Sequence, residues 1–240
     1  MENLFNQCRR LLRTTSLDYV RPSIKQVHWN QRLISIRGAR GVGKTTLLLQ
    51  YIKQTYGDNP IEAIYVSLDN LYFSRHTFID FVEDFYKMGG KCIFADEVHK
   101  YHGWSQELKN AYDAFPDMRF VITGSSVLNI LNSDADLSRR CINYNMQGLS
   151  FREYLALCEG LKFDQTDLPS LLEEPDKLCM AVNEKCRPLA HFDRYIKTGY
   201  YPFVLEGEED YYERISNVAN LILEIELPQL CGVDVSNIRK

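Results

Sequence analysis

Gln31-Arg-Leu-Ile-Ser-Ile-Arg37, followed by Gly38-Ala39-Arg40-Gly41-Val42-Gly43-Lys44-Thr45-Thr46, is the stretch that decides the fold. Its first part is a short, mostly apolar run of strand length, and its second fits G-x-x-x-x-G-K-[ST] in full. From Lys44 onward apolar residues recur at helical spacing as far as Tyr56, where Gly57 stops them. Strand, glycine loop and helix therefore stand in the order that a phosphate-binding loop requires. Glycines let the backbone wrap a β-phosphate with its N–H groups turned inward, and the helix N-terminus adds the positive end of its dipole. On this reading residues 38–46 bind the nucleotide, Lys44 reaches the β- and γ-phosphates, and the Thr45 hydroxyl ligates Mg²⁺. Thr46 reads first as a residue of the helix.

Working outward, strands and helices alternate. Ile61 to Leu68 reads as a second strand, Phe78 to Met88 as a helix closed by Gly89-Gly90, and Lys91 to Ala95 as a third strand. Trp104 to Phe115 has a helical pattern, Arg119 to Thr123 reads as a fourth strand and Cys141 to Met146 as a fifth. Such alternation predicts an α/β fold with a parallel sheet covered by helices, because unbroken apolar strands need burial on both faces.

A phosphate loop needs a second group to hold the metal, and Cys92-Ile-Phe-Ala-Asp96-Glu97 delivers two carboxylates at the end of an apolar strand. Asp96 is placed to hold Mg²⁺ through water, and Glu97 beside it to polarise the attacking water as general base. An Asp-Glu pair at a strand end is otherwise a common solvated feature. In the fourth strand, Thr123-Gly-Ser125-Ser126 offers hydroxyls that sense the γ-phosphate or orient water, or that simply cap a helix. His99, Lys100 and His102 read as surface or capping residues first. No N-K-x-D segment occurs, so ATP rather than GTP is the expected nucleotide.

Composition sets the class. The chain has 240 residues, 45% hydrophobic and 25% charged, as expected of a folded globular protein. No apolar run approaches the ~18 residues needed to span a bilayer, and the N-terminus does not have the layout of a secretory signal. Seven cysteines, an odd number with no C-x-x-C pair, read as reduced and intracellular, so a cytoplasmic location is expected. The net charge is −4, yet residues 1–50 carry nine Lys/Arg against two Asp/Glu. Leu4, Cys8, Leu11 and Leu12 form the apolar stripe of an N-terminal helix with Arg9, Arg10 and Arg13 between them. Contact with DNA through this basic helix is one reading; arginines that face solvent or pair with acidic residues are the plainer one.

Beyond the fifth strand, Ser150 and Glu153 stand in capping-box spacing ahead of a helix. Residues 161–176 are polar and acidic, and Lys177 to Leu230 reads as helical with a break at Lys197 to Pro202. The expected organisation is a nucleotide-binding domain over residues 1–160 and a helical lid or linker subdomain over residues 161–240.

Together, Gly-Ala-Arg-Gly-Val-Gly-Lys-Thr-Thr, Phe-Ala-Asp-Glu-Val-His-Lys, Val-Ile-Thr-Gly-Ser-Ser, Ser-Arg-Arg and Leu-Ser-Phe-Arg-Glu-Tyr-Leu resemble a prokaryotic AAA-type P-loop ATPase of the predicted-ATPase group. Tyr195-Ile-Lys-Thr-Gly199-Tyr-Tyr-Pro202-Phe-Val is similar to the segment that follows the ATPase core in that group, so the resemblance covers residues 5–228. It implies a P-loop NTPase three-layer sandwich with sheet order 5-1-4-3-2 and a small helical subdomain. It also implies a longer protein, continuing into winged-helix and nuclease-like domains, of which this chain is the ATPase portion. Two departures stand out: Ala39 replaces a usual Pro, and Arg139-Arg140 replaces a usual Gly-Arg. The family's arginine is carried to Arg140, where it would stabilise transition-state charge in its own subunit or a neighbour's, which admits a homo-oligomer. ATP and Mg²⁺ are the implied cofactors. Mg²⁺-dependent ATP hydrolysis driving a conformational change is the expected function; a nucleotide-gated interaction switch and a small-molecule kinase are the alternatives.

Overall fold

Leu4, Cys8 and Leu12 recur every fourth residue and are the buried face of the first helix, α1 (Glu2–Thr14). The computed structural model describes residues 1–59, 61–125, 137 and 139–228. The decisive apolar run forms β1 (Leu33–Gly38), buried along its whole length, and the glycine loop leads into α2 (Lys44–Tyr56), which ends at Gly57 as expected. There follow β2 (Ala63–Ser67), α3 (Phe78–Lys87), β3 (Cys92–Asp96), α4 (Trp104–Ala114), β4 (Arg119–Ser125) and β5 (Ile142–Asn145). All pairings are parallel, and the order β2-β3-β4-β1-β5 is the 5-1-4-3-2 sheet that the family resemblance implied.

This topology positions the site before any side chain is considered. Parallel crossovers are right-handed, so the step from β1 to β2 and the opposite-going steps β2 to β3 to β4 put their helices on opposite faces. The described contacts agree, with α1 packing on α2 and β2, and α3 packing on α4. The crevice at the carboxyl end of β1 is the switch point where such sheets bind ligands. β2 and β5 are the two edge strands; β2 is buried like the three inner strands, whereas β5 is largely exposed, consistent with its polar Asn143 and Asn145.

Gly38 closes β1 against the chain leaving β5. Met146 N donates to Arg37 O at 2.6 Å, and a Cβ on Gly38 would collide with the Met146 carbonyl oxygen. That neighbour is backbone and cannot rotate away. Gly38→Ala is therefore expected to destabilise the protein by about 1–3 kcal/mol, the usual range for overpacking, read as a lower urea midpoint.

Contacts divide the chain into two units, Met1–Met146 with Asn220–Lys240, and Gln147–Ala219. The second unit thus begins ahead of the boundary expected near residue 160. The reason is visible in α5 (Phe151–Cys158), which has the expected Ser150/Glu153 capping box: Leu149, Tyr154 and Leu155 form a small core with Phe151 and Tyr195 packed on it. Tyr195 Oη donates to Leu149 O at 2.8 Å, and Leu149 N to Tyr200 O at 2.7 Å, so the Tyr195–Val204 motif seats the start of this helix.

The rest of the unit comprises α6 (Leu168–Glu173), α7 (Pro175–Lys185), α8 (Pro188–Thr198) and α9 (Tyr211–Leu221), the last running past the unit's end. Two details differ from expectation. A short helix, α6, lies in the polar segment, and the helical run is also broken at Cys186 and Arg187. Local chemistry accounts for both: Asp167 caps α6 by accepting from Ser170 N, with Pro169 in its first turn, and Pro188 opens α8 and pushes the preceding Arg187 out of the helical region, as Pro175 does to Glu174 ahead of α7. Among the described residues no helix is long and apolar enough to cross a membrane.

Candidate functional site

Gly41 and Gly43 adopt positive φ, 84° and 96°, a conformation that glycine reaches without a Cβ penalty. Through these two positions the chain turns from β1 into α2 with the helix N-terminus facing the loop. Lys44 is buried and spans the loop, its ammonium donating to Gly38 O at 2.9 Å and Ala39 O at 3.0 Å. Val42 is buried under the loop, Arg40 is half-buried in it, and Thr46 is exposed on α2. Backbone N–H groups, a helix dipole and an ammonium are thus gathered where an anion can sit.

Asp96 ends β3 beside this loop and is buried at 2% exposure. Its Oδ2 accepts from Thr45 Oγ1 at 2.6 Å and from Tyr65 Oη at 2.8 Å, while Oδ1 accepts from the Thr123 hydroxyl and from Glu97 N at 3.1 Å. Three hydroxyls, from α2, β2 and β4, and the N–H of the following residue hold one carboxylate. Because Thr45 spends its proton on Asp96, its oxygen keeps lone pairs for a cation, and Thr45 with Asp96 forms a hard, all-oxygen donor pair. Magnesium suits such a pair, since it takes one or two protein oxygens and completes its shell with water and phosphate. Among the described residues no group of three or more His, Cys, Asp or Glu gathers as an alternative metal cage.

Glu97 follows in the left-handed region, at φ 54°, the one non-glycine residue among those described with positive φ. Such a conformation costs about 1–3 kcal/mol and persists where the surroundings enforce it. Here Glu97 N is shared between Asp96 Oδ1 and Thr123 Oγ1 (3.2 Å), so the same cluster that holds Asp96 fixes the Glu97 backbone. Its Oε2 lies 3.5 Å from Nε2 of His99, whose side chain is buried rather than on the surface. Ser125 pairs in register with Gly38, and its buried Oγ has no hydrogen-bond partner among the described residues. A hydroxyl left over at this edge of the loop fits a phosphate oxygen or water.

Of the expected residues, the structure gathers Gly38 to Thr45, Asp96, Glu97, Thr123 and Ser125 at one end of the sheet. Thr123 reaches Asp96, which makes it a support for the acid. Arg140 is not brought there. It precedes β5 at the amino-terminal end of the strands, pairs with Asp113 at 3.1 Å and lies 5.9 Å from the Tyr112 ring. Ser126 lies outside the described residues. The N-terminal helix uses its apolar stripe in the core, and Arg9 packs 6.0 Å from the Phe5 ring.

Sequence reading missed two residues. Tyr65 sits in an apolar strand and carries no motif, and its role shows only once β2 is seen beside β3. Arg21, ahead of Pro22, donates to Val42 O at 3.0 Å and braces the loop from a segment of no recognisable pattern. Hydrogen bonds from charged donors contribute about 1.5–3 kcal/mol, and 1.4 kcal/mol is tenfold in affinity. Arg21→Ala is expected to weaken nucleotide binding about tenfold, measured by titration with a fluorescent ADP analogue; a change below twofold would remove Arg21 from the site.

Residues 30–155 match the AAA domain family. Over 223 residues the chain is 28% identical to a protein of Methanocaldococcus jannaschii described as uncharacterized, covering 88% of this chain and 46% of that protein. The chain thus spans about half the length of the relative it matches. Among solved structures, it is similar to the S. cerevisiae Hsp104:casein complex, at 19% identity, TM-score 0.47, and 64% and 31% coverage of this chain and that one. It is also similar to Saccharomyces cerevisiae RIF2, at 17% identity, TM-score 0.44, and 84% and 85% coverage.

Proposed function

The chain belongs to the AAA domain family, and from that premise we propose that it is an Mg²⁺-dependent ATPase that couples hydrolysis to a conformational change. The observation that carries this reading is the hydrogen bond of 2.6 Å between Thr45 and Asp96, which joins the phosphate loop to the acid at the end of β3. With the neighbouring oxygen donors, that junction fits a hydrated Mg²⁺ held between protein and phosphates. The bound ion would neutralise charge developing on the β- and γ-phosphate oxygens.

The chain's own residues do the rest. Lys44 carries its ammonium to the β- and γ-phosphates, and the N–H groups of the loop hold the β-phosphate. Glu97 accepts the proton of the water that attacks the γ-phosphorus, giving ADP and phosphate. Thr123 and Tyr65 fix the Asp96 carboxylate, and the Ser125 hydroxyl donates to a γ-phosphate oxygen or to the attacking water. ATP is preferred on the absence of an N-K-x-D segment. The motifs in residues 150–155 and 195–204 support placement in the predicted-ATPase group, as the ATPase portion of a longer protein.

Phosphate release from ATP, followed with Mg²⁺ and with EDTA, tests the proposal. Release that depends on Mg²⁺ is the expected result; ATP bound tightly with no release would make the chain a nucleotide-gated switch instead.

A further inference from the structure

Tyr65 is a tyrosine at 6% exposure, flanked by Ile64 and Val66 inside the strand Ala-Ile-Tyr-Val-Ser. A buried phenol needs a partner for its hydroxyl, and Tyr65 finds it at 2.8 Å on Asp96 Oδ2, the same oxygen that receives Thr45 Oγ1. Phenylalanine would fill the strand position as well, with nothing left to satisfy. The strand register explains the reach: Ser67 is level with Asp96, so Tyr65 stands two residues back along β2 and spans that distance with its ring. Its backbone is fixed too, since Tyr65 N donates to Cys8 Sγ of α1 at 3.4 Å.

We propose that Tyr65 is a positioning residue for the metal: its hydroxyl locks the Asp96 carboxylate so that Asp96 and Thr45 meet a hydrated Mg²⁺ at one fixed place. This rests on the Mg²⁺-nucleotide reading above and adds a residue to it. The carboxylate in turn has a firm orientation from Tyr65 and Thr45 on one oxygen and from Thr123 and Glu97 N on the other. Partners that orient a metal-binding group in this way typically change metal affinity by about 10- to 100-fold when removed.

The test is a Mg²⁺ titration of the complex with a fluorescent ADP analogue, a binding readout that needs no turnover. In Tyr65→Phe the Mg²⁺ concentration for half-maximal effect is expected to rise about 10- to 100-fold, with analogue affinity in EDTA unchanged. A midpoint within twofold of wild type would overturn the proposal, as would an equal loss of affinity in EDTA, which marks a structural role alone. Wild-type protein that binds nucleotide without regard to Mg²⁺ would instead sink the function proposed above. If Tyr65→Phe does not fold, 3-fluorotyrosine at position 65 keeps the hydroxyl and the shape. Its ¹⁹F resonance is expected to shift when Mg²⁺ is added to the ADP complex, and an unmoved resonance overturns the proposal.

Discussion

Glu97→Gln is expected to slow ATP turnover by about 10²- to 10⁴-fold, the range for losing a general base, while the protein goes on binding ATP. The substitution keeps the shape of the side chain and the Glu97 N–H, which is shared by Asp96 Oδ1 and Thr123 Oγ1. Support of Asp96 therefore survives, and what disappears is the basic oxygen. The side chain is 23% exposed, at the carboxyl end of the strand that supplies Asp96, on a backbone at φ 54°. A cost of about 1–3 kcal/mol is hard to explain for an ordinary solvated strand end, and natural where a side chain must be aimed. Phosphate release and retained ATP are to be measured on the same sample. Turnover within tenfold of wild type would move the base elsewhere, and a wild type with no turnover to lose would favour the nucleotide-gated switch.

Lys44→Ala is expected to fail one step earlier, at binding, with ATP affinity lower by about 10²- to 10³-fold. Its ammonium is held over the loop by the Gly38 and Ala39 carbonyls at 2.9 and 3.0 Å, and it is placed to exchange these for phosphate oxygens. Charge-assisted hydrogen bonds contribute about 1.5–3 kcal/mol each, and two of them account for a loss of this size. Titration with a fluorescent ATP analogue, beside a thermal melt without nucleotide, separates lost binding from lost folding. Unchanged affinity in a folded variant would end the assignment of this loop as a nucleotide site. The two substitutions differ in what they preserve: Glu97→Gln keeps ATP bound and Lys44→Ala does not.

Particular elements show how legible the chain was. The bounds of α2 were readable to the residue, because Lys44 follows the motif and Gly57 breaks the pattern. The Ser150/Glu153 capping box was readable for the same reason, as both partners lie within one helical turn. Pro188 shows the limit at this scale: apolar spacing alone ran the helix through it, although the residue before a proline resists helical geometry.

Sequence by itself determined the alternation of strands and helices, the phosphate loop and the acids of β3, since each is written in spacing along one short stretch. The order of the strands came with the family resemblance. Tertiary structure alone decided which side chains share a carboxylate. Tyr65, Thr45 and Thr123 meet at Asp96 from β2, α2 and β4, and Arg21 reaches Val42 from an irregular segment. It also separated Arg140 from the site, at the amino-terminal end of the strands on Asp113. The physical reason is the same in each case. Local spacing fixes backbone periodicity and turn chemistry, whereas hydrogen bonds between distant residues depend on strand order and register, which set the end of the sheet at which each side chain emerges.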